Sequence, residues 1–97
     1  MTMATAPLTK VAVGDNYLNI NTATGTLVKT GDGFVYGIFC ASGSSPTLKL
    51  WDNTSAAGAV LVNTTALNIG WNPCPFRFTT GLFATSAGTI DCTICYS

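Results

Sequence analysis

The chain has 97 residues, 47% of them hydrophobic and 8% charged, with a formal net charge of zero. That is the length of one domain and too apolar for disorder. Lys10, Lys29, Lys49 and Arg77 stand against Asp15, Asp32, Asp52 and Asp91 with no basic cluster, which argues against nucleic acid or a membrane surface as partner.

Residues 1–15 are small and polar, punctuated by Pro7 and Gly14, and read as an N-terminal arm ahead of a β-domain over 16–97. The arm has no charged stretch followed by an apolar one, so a signal peptide is not expected. Residues 17–20 form a strand with Leu18 and Ile20 on one face and Asn19 and Asn21 on the other. A turn at 22–25 leads to a second strand over 26–30, where Leu27 and Val28 have opposite parity and leave the inner face open. Gly31-Asp-Gly33 is a tight-turn signal, because Asp-Gly supplies the positive φ that a hairpin needs.

Residues 34–41 are apolar on both faces, as a central strand is. Residues 42–46 turn. Residues 47–51 alternate, with Leu48 and Leu50 inward and Thr47, Lys49 and Trp51 outward. After a loop over 52–58, residues 60–63 make a strand with Val60 and Val62 inward. Residues 64–75 read as a longer connection, since Pro73 and Pro75 cannot donate to a ladder. Residues 76–79 place Phe76 and Phe78 inward. Gly81 turns, 82–85 is a short strand, and Gly88 turns into the last strand. There Ile90, Cys92, Ile94 and Tyr96 face one way and Asp91, Thr93 and Cys95 the other. About eight short strands and no convincing helix predict an all-β fold, an antiparallel β-sandwich of jelly-roll or Greek-key type, with a small barrel as the alternative.

The chemistry is thin. With no His, Glu or Gln, an ordinary Ser or Cys triad cannot be built, and no Gly-x-Ser-x-Gly elbow is present. No catalytic residue, metal ligand or cofactor site is expected. Asp15, Asp32 and Asp52 sit beside Gly or Asn, where Asp caps turns; calcium binding is the functional alternative, without supporting spacing. Cys92 and Cys95 resemble a CxxC, but on a strand they point to opposite faces and cannot share an ion. The four cysteines, Cys40, Cys74, Cys92 and Cys95, read as free thiols in apolar surroundings; a disulfide such as Cys74 with Cys95 is the alternative. Asn53-Thr-Ser55 and Asn63-Thr-Thr65 match the glycosylation sequon, a pattern that arises readily in a chain so rich in Asn and Thr. Trp51 and Trp71 either cover the open ends of the fold or serve as interface aromatics, in a protein contact or on a sugar ring. Average domains carry about 25% charged residues. A surface this poor in charge is sticky, which fits burial against other protein in the working state; glycosylation of a secreted chain is the other resolution.

Gly33-Phe-Val-Tyr-Gly-Ile-Phe39, Thr47-Leu-Lys-Leu-Trp-Asp-Asn-Thr-Ser-Ala-Ala-Gly58, Pro75-Phe-Arg-Phe-Thr-Thr-Gly-Leu82 and Gly88-Thr-Ile-Asp-Cys-Thr-Ile-Cys-Tyr96 together resemble small β-sandwich virion proteins of tailed bacteriophages, the capsid decoration or cement proteins. The likeness runs from Asn19 to Tyr96, departing at Cys92 and Cys95, and rests on turn and core signals. It implies a structural protein, not an enzyme, made in the host cytoplasm and carried on the outer surface of the virion head. Its partners are then the major capsid protein and itself, as a homotrimer or else a dimer. On this reading the arm, with Thr5, Pro7, Leu8 and Lys10, is the candidate capsid contact. A tail- or fibre-associated carbohydrate-binding module is the alternative, with Trp51 and Trp71 as its platform.

Overall fold

The computed structural model describes residues 16–97. The N-terminal arm, with Thr5, Pro7, Leu8, Lys10 and Asp15, lies outside the described residues.

Six strands follow one another: β1 (Asn16–Ile20), β2 (Gly25–Thr30), β3 (Gly33–Trp51), β4 (Val60–Ala66), β5 (Gly70–Phe78) and β6 (Gly81–Tyr96). All belong to one antiparallel sheet, and no helix occurs among the described residues. The two long strands, β3 and β6, run side by side through its middle. Each short strand pairs with one half of a long one. The first half of β3 carries β5 and the second half carries β4. The first half of β6 carries β2 and the second half carries β1.

Six strands rather than about eight arise because two expected turns are bends in continuous strands. Residues 42–46 remain part of β3, and Gly88 remains part of β6. Ser44 pairs with Thr89 and Thr47 with Ala87, so the irregularity falls where Ser45 has φ 52° and Gly88 has φ 80°. A Cβ at Gly88 would strike the Ser45 carbonyl oxygen, so only glycine allows this approach.

Register gives the ribbon its shape. Residues 35–51 of β3 lie beside residues 83–96 of β6, three more on the β3 side, and the register slips at three places. Each slip is a bulge on β3, at Tyr36, at Ala41 and at Ser45–Pro46. Bulges bend the strand that carries them and increase its twist.

The core lies on one face of this sheet. On β6 the alternate residues Leu82, Ala84, Ile90, Cys92 and Ile94 are buried, as are Leu48 and Leu50 on β3. Residues from both ends of the sheet, Ile20 and Val35 at one and Leu50 and Leu82 at the other, belong to a single apolar cluster. Among the described residues no polar or charged side chain is buried, which avoids the cost of stranding one in an apolar interior.

Two inner-face readings and one connection need correcting. Phe78 is fully buried, but Phe76 is 44% exposed at the mouth of a cleft. Val60 faces Trp51 on the outside, because a register slip between Leu50 and Trp51 puts one extra β4 residue in the pairing and reverses its parity relative to Val62. Residues 70–75 are strand rather than connection: β5 pairs only with β3, and an edge strand tolerates Pro73 and Pro75.

Candidate functional site

The face of the sheet opposite the core carries two bands of large apolar side chains. In the first, Val60 on β4 pairs with Trp51 on β3, Trp51 with Phe83 on β6, and Phe83 with Leu27 on β2. Directly opposed residues share a face, so these four side chains form one continuous row. Val60 is 45% exposed and Leu27 46%. The row is held from within the sheet. The Lys49 ammonium lies 4.2 Å from the Trp51 ring centre, and Trp51 Nε1 donates to Thr85 Oγ1 at 3.4 Å. The Phe83 ring lies over Gly25, where a Cβ would sit 3.1 Å from it.

The second band belongs to the other half of the ribbon. Trp71 on β5 pairs with Phe39 on β3, Phe39 with Thr93, and Thr93 with Asn19 on β1. Trp71 and Phe39 are each about half exposed. The Trp71 indole lies across Gly37, leaving no room there for a side chain. Asn19 ends the row as a polar border, donating from Nδ2 to Asp91 Oδ1 at 3.0 Å and to the Cys92 carbonyl oxygen at 2.9 Å. Trp51 and Trp71 therefore lie on the same face of the sheet but not together. Their β6 partners are Phe83 and Thr93, separated along the strand by roughly 33 Å at about 3.3 Å per residue. They are two patches, not one platform.

A cleft of about 350 Å³ opens between β4 and β5, its apolar wall formed by Ile38, Leu48, Leu50, Val62, Leu67 and Phe76. Asn72 builds its rim. Its Nδ2 donates to the carbonyl oxygens of Ile38, Asn68 and Gly70 at 3.2, 2.9 and 3.1 Å, and its Oδ1 accepts from Asn68 N at 2.9 Å. No ionisable side chain except the buried Cys74 lines the cleft, and Thr65, Asn68 and Asn72 add polar groups, so the lining suits an uncharged occupant with both apolar and polar parts.

The titratable groups do structural work. Asp52, at the end of β3, accepts from Thr79 N at 3.0 Å, Thr80 N at 2.8 Å, Gly81 N at 3.4 Å and Thr79 Oγ1 at 3.2 Å. Partial burial raises its pKa, but the three backbone donors and the hydroxyl outweigh that and hold the carboxyl below its ordinary value. It caps the β5–β6 turn rather than its own loop. Asn53 does the local work, donating to the Ala57 carbonyl oxygen at 2.7 Å. Asp32 pairs with Arg77 at 3.6 Å in the open. Cys40, Cys74 and Cys92 are buried thiols and Cys95 is half-buried, on the face opposite Cys92. Burial pushes Cys74 and Cys92 up to about 11, with Cys40 and Asp91 adding to the rise at Cys92. Among the described residues no cluster of three or more potential metal ligands forms.

The sequence reading singled out Trp51 and Trp71 but missed Leu27, Phe39, Val60 and Phe83, which complete the rows. The missing signal was register. Parity places Trp51 outside, but only strand pairing shows what stands beside it.

No family profile matches the chain, no curated protein matches it at a significant level, and no solved structure matches its fold.

Proposed function

We propose that the chain is a non-enzymatic structural protein that works by surface contact. It acts as a capsid decoration (cement) protein on the outside of a bacteriophage head, stabilising contacts between major capsid subunits, with a homotrimer as the working form. The observation that carries the proposal is the outer row Val60–Trp51–Phe83–Leu27 on a chain with 8% charged residues. Such a row buries apolar area against a protein neighbour at little desolvation cost, and many copies on one shell sum weak contacts.

The same proposal includes a sheet closed on itself as a β-sandwich of jelly-roll or Greek-key type. Two features support this. The three bulges bend the central ribbon, and apolar residues from its two ends share one cluster. With no helix among the described residues, one half of the sheet is the natural cover for the other.

The test is the stoichiometry of the chain in density-gradient-purified particles, measured by mass spectrometry against the major capsid protein. A near-stoichiometric ratio supports the cement role, and absence from particles discards it. Leu27→Lys and Val60→Lys, at half-exposed positions, should reduce incorporation and leave the fold intact. A second reading, a tail- or fibre-associated carbohydrate-binding module, draws on the half-exposed pair Trp71 and Phe39. A few copies per particle, with glycan binding lost in Trp71→Ala, would favour it.

A further inference from the structure

The four cysteines are not equivalent in the sheet. Cys40 of β3 stands directly opposite Cys92 of β6, on the core face, and both are fully buried. Cys95 stands opposite Gly37 and Tyr17, and Cys74 lies between the pairs Pro73–Gly37 and Phe76–Val35. Only Cys40 and Cys92 face each other across a ladder. Opposed residues in antiparallel strands hold their Cα atoms about 4.5–5.5 Å apart, inside the span of about 4.4–6.8 Å that a disulfide bridges. Cys40 also precedes the Ala41 bulge, where β3 gains a residue and the local backbone departs from a regular ladder.

From this juxtaposition we infer that Cys40 and Cys92 are a cross-strand disulfide pair, a modification site that closes when the chain folds in the presence of a disulfide oxidant. With oxidised glutathione the exchange runs in two steps. One cysteine thiolate attacks a glutathione sulfur and expels a glutathione thiolate. The other cysteine thiolate then attacks the protein sulfur of that mixed disulfide and expels the second glutathione. One S–S bond breaks, one forms, and the two cysteine protons end on two glutathione thiols. The reaction belongs to folding rather than to the finished fold, because both thiols are sealed from solvent in the folded chain. The bond would tie the two central strands together and close the loop between residues 40 and 92. A loop of that length constrains the unfolded chain strongly, and the expected gain is a rise of about 10 °C or more in the unfolding midpoint.

The experiment refolds the full chain from denaturant in a glutathione redox buffer and, in parallel, in excess reductant. Thiols are then alkylated under denaturing conditions and tryptic peptides mapped. The same refolding is run on Cys74→Ala/Cys95→Ala, which retains only the pair in question. The expected result is a link between the peptide over 30–49 and the peptide over 78–97. The double variant should lose both thiols, become lighter by two hydrogens, and unfold at a higher temperature than its reduced form. Free thiols throughout, glutathione adducts in place of the link, or a link from the peptide over 50–77, which carries Cys74, would each overturn the assignment. The peptide over 78–97 carries both Cys92 and Cys95, so if the double variant does not fold, fragmentation of the linked peptide from the four-cysteine chain decides: a link at Cys92 supports the pair and a link at Cys95 overturns it.

Discussion

Asp52 offers the sharpest test of how the sheet is held. Its carboxylate gathers the backbone of Thr79, Thr80 and Gly81 and so fixes the turn that reverses β5 into β6. The two short contacts, 2.8 Å to Thr80 N and 3.0 Å to Thr79 N, are charge-assisted, a class that contributes about 1.5–3 kcal/mol each. Thr79 and Thr80 are exposed, so water replaces part of what is lost. Asp52→Ala should therefore cost about 2 kcal/mol in total. Asp52→Asn, which keeps one acceptor oxygen, should cost about 1 kcal/mol. Urea denaturation at pH 7 measures both. The pH dependence identifies the cause. A folded-state pKa below the unfolded value of 3.8 stabilises the fold above that value, and the contribution is lost as pH falls through the folded pKa. The gap between wild type and Asp52→Asn should therefore narrow as pH drops below about 4. An equal gap at pH 7 and pH 3 would refute the role assigned to the charge.

Gly88 and Gly31 both have positive φ, 80° and 90°, but a Cβ at Gly31 meets open space and one at Gly88 meets the Ser45 carbonyl oxygen. Gly31→Ala should cost about 1 kcal/mol and Gly88→Ala at least about 2 kcal/mol more, measured side by side by thermal unfolding. Phe78 is fully buried, so Phe78→Ala should cost about 3–5 kcal/mol, while Phe76→Ala, at the cleft mouth, should cost clearly less in the same denaturation series. A thiol reagent at pH 8 should label Cys95 quickly and Cys40, Cys74 and Cys92 only on the timescale of opening. Cys74 and Cys92 keep their protons to about pH 11 when folded, against an ordinary value of 9.0. Their contribution to stability is intact below pH 9 and lost between pH 9 and 11. Alkaline titration of the unfolding midpoint should show this fall, smaller in Cys74→Ala.

The strongest alternations in the sequence were read correctly. Residues 47–51 have Leu48 and Leu50 buried, and residues 90–96 bury Ile90, Cys92 and Ile94. Period-two patterns survive because each side chain's face follows directly from the pleat. What the sequence concealed was continuity. Gly43, Ser44, Ser45 and Pro46 have the composition of a turn, and Gly88 invites another, but the two irregularities sit opposite each other and the ladder passes through both. A turn signal states that the backbone bends locally; whether the chain then reverses depends on partners far away in sequence. Val60 shows the same limit on a smaller scale, since a one-residue slip in β4 was enough to reverse its face. The outer rows were only half legible for this reason. Trp51 could be placed outside, but its neighbours Phe83 and Leu27 come from strands whose register no local pattern encodes.

The place of β6 in the sheet bears on how the protein comes into being. The last of the described strands is the one against which β1, β2 and β3 all align, and Asn16 pairs with Tyr96. Until β6 has cleared the ribosome, the earlier strands lack their common template and expose their apolar sides. Assembly therefore waits for β6 and is governed by contacts between opposite ends of the described chain, which makes it slow. A nascent chain stalled before residue 81 can pair β3 with β4 and β5 but leaves β1 and β2 without their partner, and should be a substrate for chaperones and proteases.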